Sequence, residues 1–114
     1  DLSDGLGAFV QDLQQAGNLD STLILVFSEF GRRVGQNASN GTDHGTANNV
    51  LLLGGKLRQP GIANAAPDLA DLEAGDLRHR VDFRSIYASI LHDWLGADNQ
   101  QILSRDVAPL LGLV

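Results

Sequence analysis

Apolar residues at Leu2, Leu6, Phe9, Val10 and Leu13 are spaced by four, three, one and three positions, which is one face of a helix. Asp12 and the neighbouring glutamines lie off that face. The pattern predicts a helix over residues 2–16, stopped at Gly17-Asn18. Thr22 to Ser28, TLILVFS, is instead a continuous apolar and β-branched run. Such a run predicts a strand buried on both faces. Val50 to Leu53 predicts a second short strand, stopped by Gly54-Gly55.

Between the strands, Gly31 to Gly45 shows no period and is rich in Gly, Asn and Ser. It reads as a loop of 15 residues, long enough in a compact domain to raise the question of function. Residues 56–81 read as irregular, with a helical turn near Leu69 and Leu72. Asp82 reads as the N-cap of a helix from Phe83 to Leu95. Its stripe of Phe83, Ile86, Tyr87, Ile90, Leu91 and Trp94 is expected to be core. Gly96 stops it, Asp98 to Leu103 predicts a short last helix, and the tail VAPLLGLV is expected to pack down.

Two strands and three helices make a thin α/β unit. A two-stranded sheet buried on both faces needs further strands beside it. Methionine is absent even at position 1. The expectation is therefore a segment of a larger chain, with the missing strands upstream.

Composition narrows the function classes. The 114 residues are 43% hydrophobic and carry a formal charge of −6, with eight scattered Lys and Arg. A nucleic-acid footprint needs a basic face, so no nucleic-acid partner is expected. No apolar run approaches the roughly 20 residues of a membrane span, so no membrane insertion is expected either. Cysteine is absent, which removes thiol catalysis, disulfides and cysteine-ligated zinc.

The chemistry-bearing residues concentrate in the polar stretch. Glu29 follows the carboxyl end of the first strand, where ligands sit in open α/β sheets. His44 lies six residues before Val50. If the two strands run antiparallel as neighbours, Glu29 and His44 share one edge of the sheet; if parallel, they separate. Three chemistries fit. Glu29 and Asp43 with the His44 imidazole form an oxygen and nitrogen set suited to Zn, Mn or Fe. His44 can act as an acid–base group oriented by a carboxylate. Arg32 and Arg33 with loop N–H groups can bind an anion.

The plain readings stand beside these. Glu29 can be a solvated strand end, Asp43 a turn cap, His44 a surface histidine, and Arg32-Arg33 a solvated pair. His79, flanked by arginines, and His92, on the polar side of its helix, read as surface. Ser28, Ser39 and Thr42 are hydroxyl nucleophiles by type only, with no adjacent base.

Four pieces in order, TLILVFSEFGRR, NGTDHGTANNVLLLGG, GDLRHRVDFRSIYASILHDWLG and the closing LLGL, resemble one family. It is domain of unknown function 1501, exported bacterial proteins related to sulfatases and alkaline phosphatases. The resemblance covers nearly the whole chain. It implies that residues 1–114 are the C-terminal segment of a larger domain, a partial three-layer α/β/α sandwich of alkaline-phosphatase-like type. LVFSEFG resembles the superfamily's strand-end metal segment, with Glu29 at the Asp place. DHGTANNVLLL resembles its later one, with His44 at the late histidine.

Phe30 stands where the classical enzymes have histidine, and Phe cannot ligate a metal. The implied function is a share in a metal-dependent phosphate- or sulfate-ester hydrolase. Glu29 and His44 would be ligands, Asp43 a ligand or orienter, and Arg32 a contact for the anionic group. The implied substrate is a small-molecule or carbohydrate ester, the cofactor a divalent metal, and the location periplasmic or extracellular. Other ligands and the nucleophile would come from the remainder of the parent chain, so the segment alone is expected to be inactive. The alternative is a non-catalytic exported protein of the same fold, in a binding or structural role, and Phe30 favours it.

Overall fold

The computed structural model describes residues 1–103 and 106–114 of the chain. The first helix, α1 (Leu2–Gln15), forms where the periodicity places it. Asp1 caps it by accepting the Asp4 N–H at 3.1 Å, and Gly17 leaves it in a left-handed conformation at φ 69°. Its apolar stripe is only partly covered: Leu6, Val10 and Leu13 are half-buried, while Leu2 is 65% exposed and Phe9 49%.

After a 3-10 turn at Leu19–Ser21, β1 (Leu23–Val26) pairs antiparallel with β4 (Leu51–Gly54). The register runs from Leu23 opposite Gly54 to Val26 opposite Leu51. Gly54 is thus the last residue of the strand rather than its stop.

The stretch read as a 15-residue loop is a β-hairpin. Its strands are β2 (Gly31–Gln36) and β3 (Thr42–Gly45), with Gly31 opposite Gly45 and Arg32 opposite His44. The turn is built by Asn37. Its side-chain oxygen accepts the N–H groups of Ser39 and Gly41, both at 3.0 Å, and its own N–H donates to the Gly41 carbonyl at 2.8 Å. A register shift between Arg32 and Gln36 hides the alternation a strand would show. Gly31 is buried, and a Cβ there would run into the Ala47 carbonyl, so only glycine lets the chain close at the hairpin base.

The helical turn expected near Leu69 and Leu72 is also replaced by a hairpin, β5 (Leu72–Glu73) and β6 (Asp76–Leu77). Ala74 and Gly75 both have positive φ, at 52° and 88°. That is the backbone of the two-residue turn that matches strand twist.

The helix opened by Asp82 divides into α2 (Phe83–Ser89) and a wider π turn over Ile90–Trp94, where the Leu95 N–H reaches back to Ile90. Asp82 accepts the Arg84 N–H at 2.9 Å and the Arg84 guanidinium at 2.6 and 3.0 Å. The side-chain bond from Arg84, and then its backbone N–H, hold the Asp82 carboxyl down at about 2. Tyr87 sits edge-on to both Phe27, at 6.1 Å, and Phe83, at 5.4 Å. It thereby joins α2 to the residue that leaves β1. Phe83 itself is 58% exposed, so the stripe expected to be core begins in solvent.

The tightest packing lies between α2, α3 (Asn99–Ile102) and the tail. Ala88, Ser89, Asn99, Val107 and Val114 are buried there. The Ser89 Oγ accepts the Leu110 N–H at 2.7 Å and donates to the Ser85 carbonyl at 2.9 Å. Asn99 donates to the Val107 carbonyl at 3.4 Å. Small residues on α2 let the tail backbone come this close.

The whole chain exposes 8137 Å², against ~6,000 Å² for a compact monomer of this mass. Its radius of gyration is 16.5 Å, against ~13 Å for a compact chain of this length. No helix among the described residues is long and apolar enough to cross a membrane.

Candidate functional site

The antiparallel pairing of β1 with β4 fixes where the polar residues fall. The chain leaves β1, runs through the β2–β3 hairpin and re-enters at β4. Both ends of the hairpin therefore sit at the same end of the β1–β4 ribbon. Glu29 lies on the way in and His44 near the way out, and this end holds both.

On the hairpin, Phe30, Arg32 and His44 share one face. Phe30 and Arg32 are two residues apart, and His44 lies directly opposite Arg32. The contacts agree with this placement. The Phe30 and His44 rings stack, centroids 3.5 Å apart and planes 11° from parallel. The Arg32 guanidinium carbon lies 5.2 Å from the Phe30 centroid, within cation–π range. Arg32 Nη1 also donates to the Thr42 carbonyl at 2.9 Å. One arm of Arg32 is thus tied to the hairpin, while the side chain stays exposed.

Asp43 goes elsewhere. Consecutive strand residues face opposite sides, so Asp43 turns away from His44. Its Oδ1 accepts the Asn37 side-chain N–H at 2.9 Å, which ties it to the turn. The strand pairing puts Glu29 and His44 on segments at the same end of the β1–β4 ribbon, while Asp43 turns to the opposite side of its strand. Among the described residues no group of three or more His, Asp or Glu side chains is placed to hold a metal ion.

The far face of the hairpin is held by Asp76, a residue the sequence reading did not single out. Asp76 pairs with Arg33 at 3.3 Å and accepts the Thr46 N–H at 3.3 Å. The Thr46 hydroxyl donates to the Leu77 carbonyl at 3.2 Å. These bonds dock β5–β6 against β2–β3. Arg33 and Asp76 stand 43 residues apart, and nothing in the sequence joins them.

His79 is exposed and lines a concavity of about 190 Å³ with Asp68, Asp71, Arg78 and Arg80. Arg78 there is already paired with Asp71 and Glu73. His92 is 62% exposed and bonds Asp93 at 2.7 Å. It borders a wider concavity of about 700 Å³ beside α3 and the tail. Neither hollow includes Glu29 or His44.

Comparison with curated proteins and with solved structures gives no match. The model of one family, described as protein of unknown function (DUF1501), matches residues 1–112. That span is nearly the entire chain, and the protein belongs to the DUF1501 family.

Proposed function

We infer that Glu29 and His44 are this chain's share of a divalent-metal site in a phosphate- or sulfate-ester hydrolase. The observation that carries the reading is the antiparallel closure: β1 and β4 pair, and the hairpin between them returns His44 to the end of β1 where Glu29 emerges. A carboxylate oxygen and an imidazole nitrogen suit Zn, Mn or Fe. Both residues are exposed, as a shared ligand pair must be before its other partners arrive.

Two donors do not complete a site, since catalytic zinc takes three protein ligands and an open position. The remaining ligands, and the nucleophile, lie outside this pair. On this reading the chain joins a larger α/β/α sandwich of alkaline-phosphatase-like type in an exported protein. The uncovered apolar side chains of α1 and β4, such as Phe9 and Leu51, support an additional covering layer.

When bound, the metal would polarise the ester or lower the pKa of an attacking group. Arg32, with part of its guanidinium still exposed, is placed beside His44 to meet the anionic group of the substrate. Asp43 has no part in this arrangement.

A second reading rests on Phe30. It stands where a histidine ligand is expected from the resemblance and covers one face of His44, which suits a protein that kept the fold and lost the reaction. An assay of aryl phosphate and aryl sulfate hydrolysis separates the two. The protein at its natural length is assayed with added Zn, Mn or Fe. Turnover that disappears in His44→Ala supports the hydrolase. Metal binding without turnover on either ester supports the non-catalytic reading.

A further inference from the structure

We propose that Asn40 is a site of spontaneous deamidation whose rate is set by the opening of the Asn37 turn. Asn40 is followed by Gly41, and no other asparagine of the chain precedes a glycine. Both residues are exposed at the tip of the β2–β3 hairpin. Gly41 has no Cβ, so no side chain shields its nitrogen from the Asn40 amide. Among the described residues the Asn40 side-chain oxygen is met only by the Gln36 amide, at a long 3.5 Å. Asn40 itself stands at φ 60°, a conformation that asparagine visits as a single residue.

The reaction needs only water. The Gly41 nitrogen gives up its proton and attacks the Asn40 Cγ. A C–N bond forms, the Cγ–Nδ2 bond breaks, and Nδ2 leaves as ammonia. Water then opens the five-membered imide at either carbonyl, giving aspartate or isoaspartate. In sum one water is consumed, one ammonium is released, and a carboxylate replaces a neutral amide.

Asn37 holds this back. The Gly41 N–H, which must be free to react, donates to Asn37 Oδ1 at 3.0 Å. The same oxygen accepts the Ser39 N–H at 3.0 Å, and the Asn37 N–H closes the turn on the Gly41 carbonyl at 2.8 Å. Attack therefore waits for the turn to open. Exposed backbone bonds open most readily, so the closed turn slows the reaction without stopping it. In isoaspartate the chain runs through the former side chain and gains one backbone atom. That atom falls inside the ring closed by the 2.8 Å bond, next to the facing pair Gln36 and Thr42. The product also adds a negative charge to a turn whose Asn37 already bonds Asp43.

The test incubates the protein at its natural length in mildly alkaline buffer. Peptide mass spectrometry follows the conversion, and an isoaspartyl methyltransferase marks isoaspartate. Asn37→Ala, Asn37→Asp and Gly41→Ala are compared with the unaltered protein. A Cβ at Gly41 would lie 3.7 Å from Asn37 Oδ1, an ordinary contact, so Gly41→Ala keeps the turn. In the unaltered protein Asn40 should convert ahead of every other asparagine, mostly to isoaspartate, and more slowly than in denaturant. Asn37→Ala should convert about 5-fold faster or more, as expected from losing the side-chain bonds at their usual net strength. Asn37→Asp keeps the acceptor and should stay near the unaltered rate. Gly41→Ala should lose most of the conversion.

Earlier conversion at another asparagine, a rate untouched by Gly41→Ala, or an Asn40 that stays intact in both the unaltered protein and Asn37→Ala overturns the site. An unaltered rate equal to that in denaturant, or no acceleration in Asn37→Ala, overturns the control by the turn. If Asn37→Ala opens the whole hairpin, seen in the amide shifts of Gly31 and Gly45, the decision passes to Asn37→Asp. Acceleration there to the rate in denaturant overturns the control as well.

Discussion

Two regions of the molecule are held by opposite means. The α2–tail region closes on small buried groups: Ala88 and Ser89 are fully enclosed, and one hydroxyl ties the tail backbone to the helix. The paired hairpins β2–β3 and β5–β6 bury almost no side chain. They are joined to each other by exposed bonds from Asp76 and Thr46, while the Asn37 side chain and one aromatic stack hold β2–β3 itself. The difference separates holding from displaying. The first region excludes water and contributes stability. The second keeps Glu29, Arg32 and His44 at the surface, where a ligand can reach them, and relies on backbone fit to keep them in register.

That comparison can be broken most severely at Gly31. In Gly31→Ala the new methyl group meets the Ala47 carbonyl. The hairpin base has no flexible side chain to move aside, so the cost should reach about 3 kcal/mol, the top of the usual overpacking range. Denaturant unfolding measures it, and the amide shifts of β2 and β3 should move while those of α2 do not.

Ser89→Ala should be the next largest. It leaves the half-buried Leu110 N–H without its 2.7 Å acceptor. An unmet buried donor costs about 1–3 kcal/mol. Hydrogen exchange at Leu110 should speed up, with the hairpins unaffected.

Ala74→Asn sharpens the contrast in the other direction. Ala74 sits at φ 52° in the β5–β6 turn, where an alanine is disfavoured and Asn is tolerated. The substitution should raise the midpoint of unfolding, by about 1 kcal/mol of stability.

The smallest effect is on acidification. The Asp82 carboxyl is held down to about 2 by Arg84, from an ordinary 3.8. Because its folded value is depressed, its stabilisation is fully present above about pH 4 and is lost as pH falls from there through about 2. The first turn of α2 should therefore loosen in that window, seen as faster exchange at Arg84, and Asp82→Asn should remove the dependence.

Much of the fold was legible. The 3.6-residue period located α1, the continuous apolar runs located β1 and β4, and Asp82 and Asp98 marked helix starts that both form as N-caps. Both hairpins were hidden, for different reasons. In β2–β3 the register shift broke the two-residue alternation, and only the turn residues Asn37 to Gly41 signalled a reversal. In β5–β6 the turn uses Ala74 before Gly75 rather than the usual Asn or Asp, so the segment read as irregular with a helical turn near Leu69 and Leu72. The π turn at Ile90 was hidden as well, since widening by one residue leaves the sequence period nearly intact.

At the candidate site, residue types were legible and partnerships were not. Glu29 and His44 were singled out from chemistry, and whether they lie at one end of the ribbon depended on whether β1 and β4 ran antiparallel. Asp43 looked equivalent to His44 in sequence, yet adjacency on a strand sends the two apart. Phe30 was read as a lost ligand, while its contact with His44 depends on a diagonal across the hairpin. Asp76 gave no signal, because its partners are Arg33 and Thr46 from a distant hairpin.

The most direct test of the account is metal content by elemental mass spectrometry, on the protein at its natural length, beside its His44→Ala and Glu29→Gln forms. The account predicts about one equivalent or more of Zn, Mn or Fe per chain, lost in His44→Ala and reduced in Glu29→Gln. Absence of bound metal in the unaltered protein after reconstitution with each ion, or full retention in His44→Ala, would contradict it.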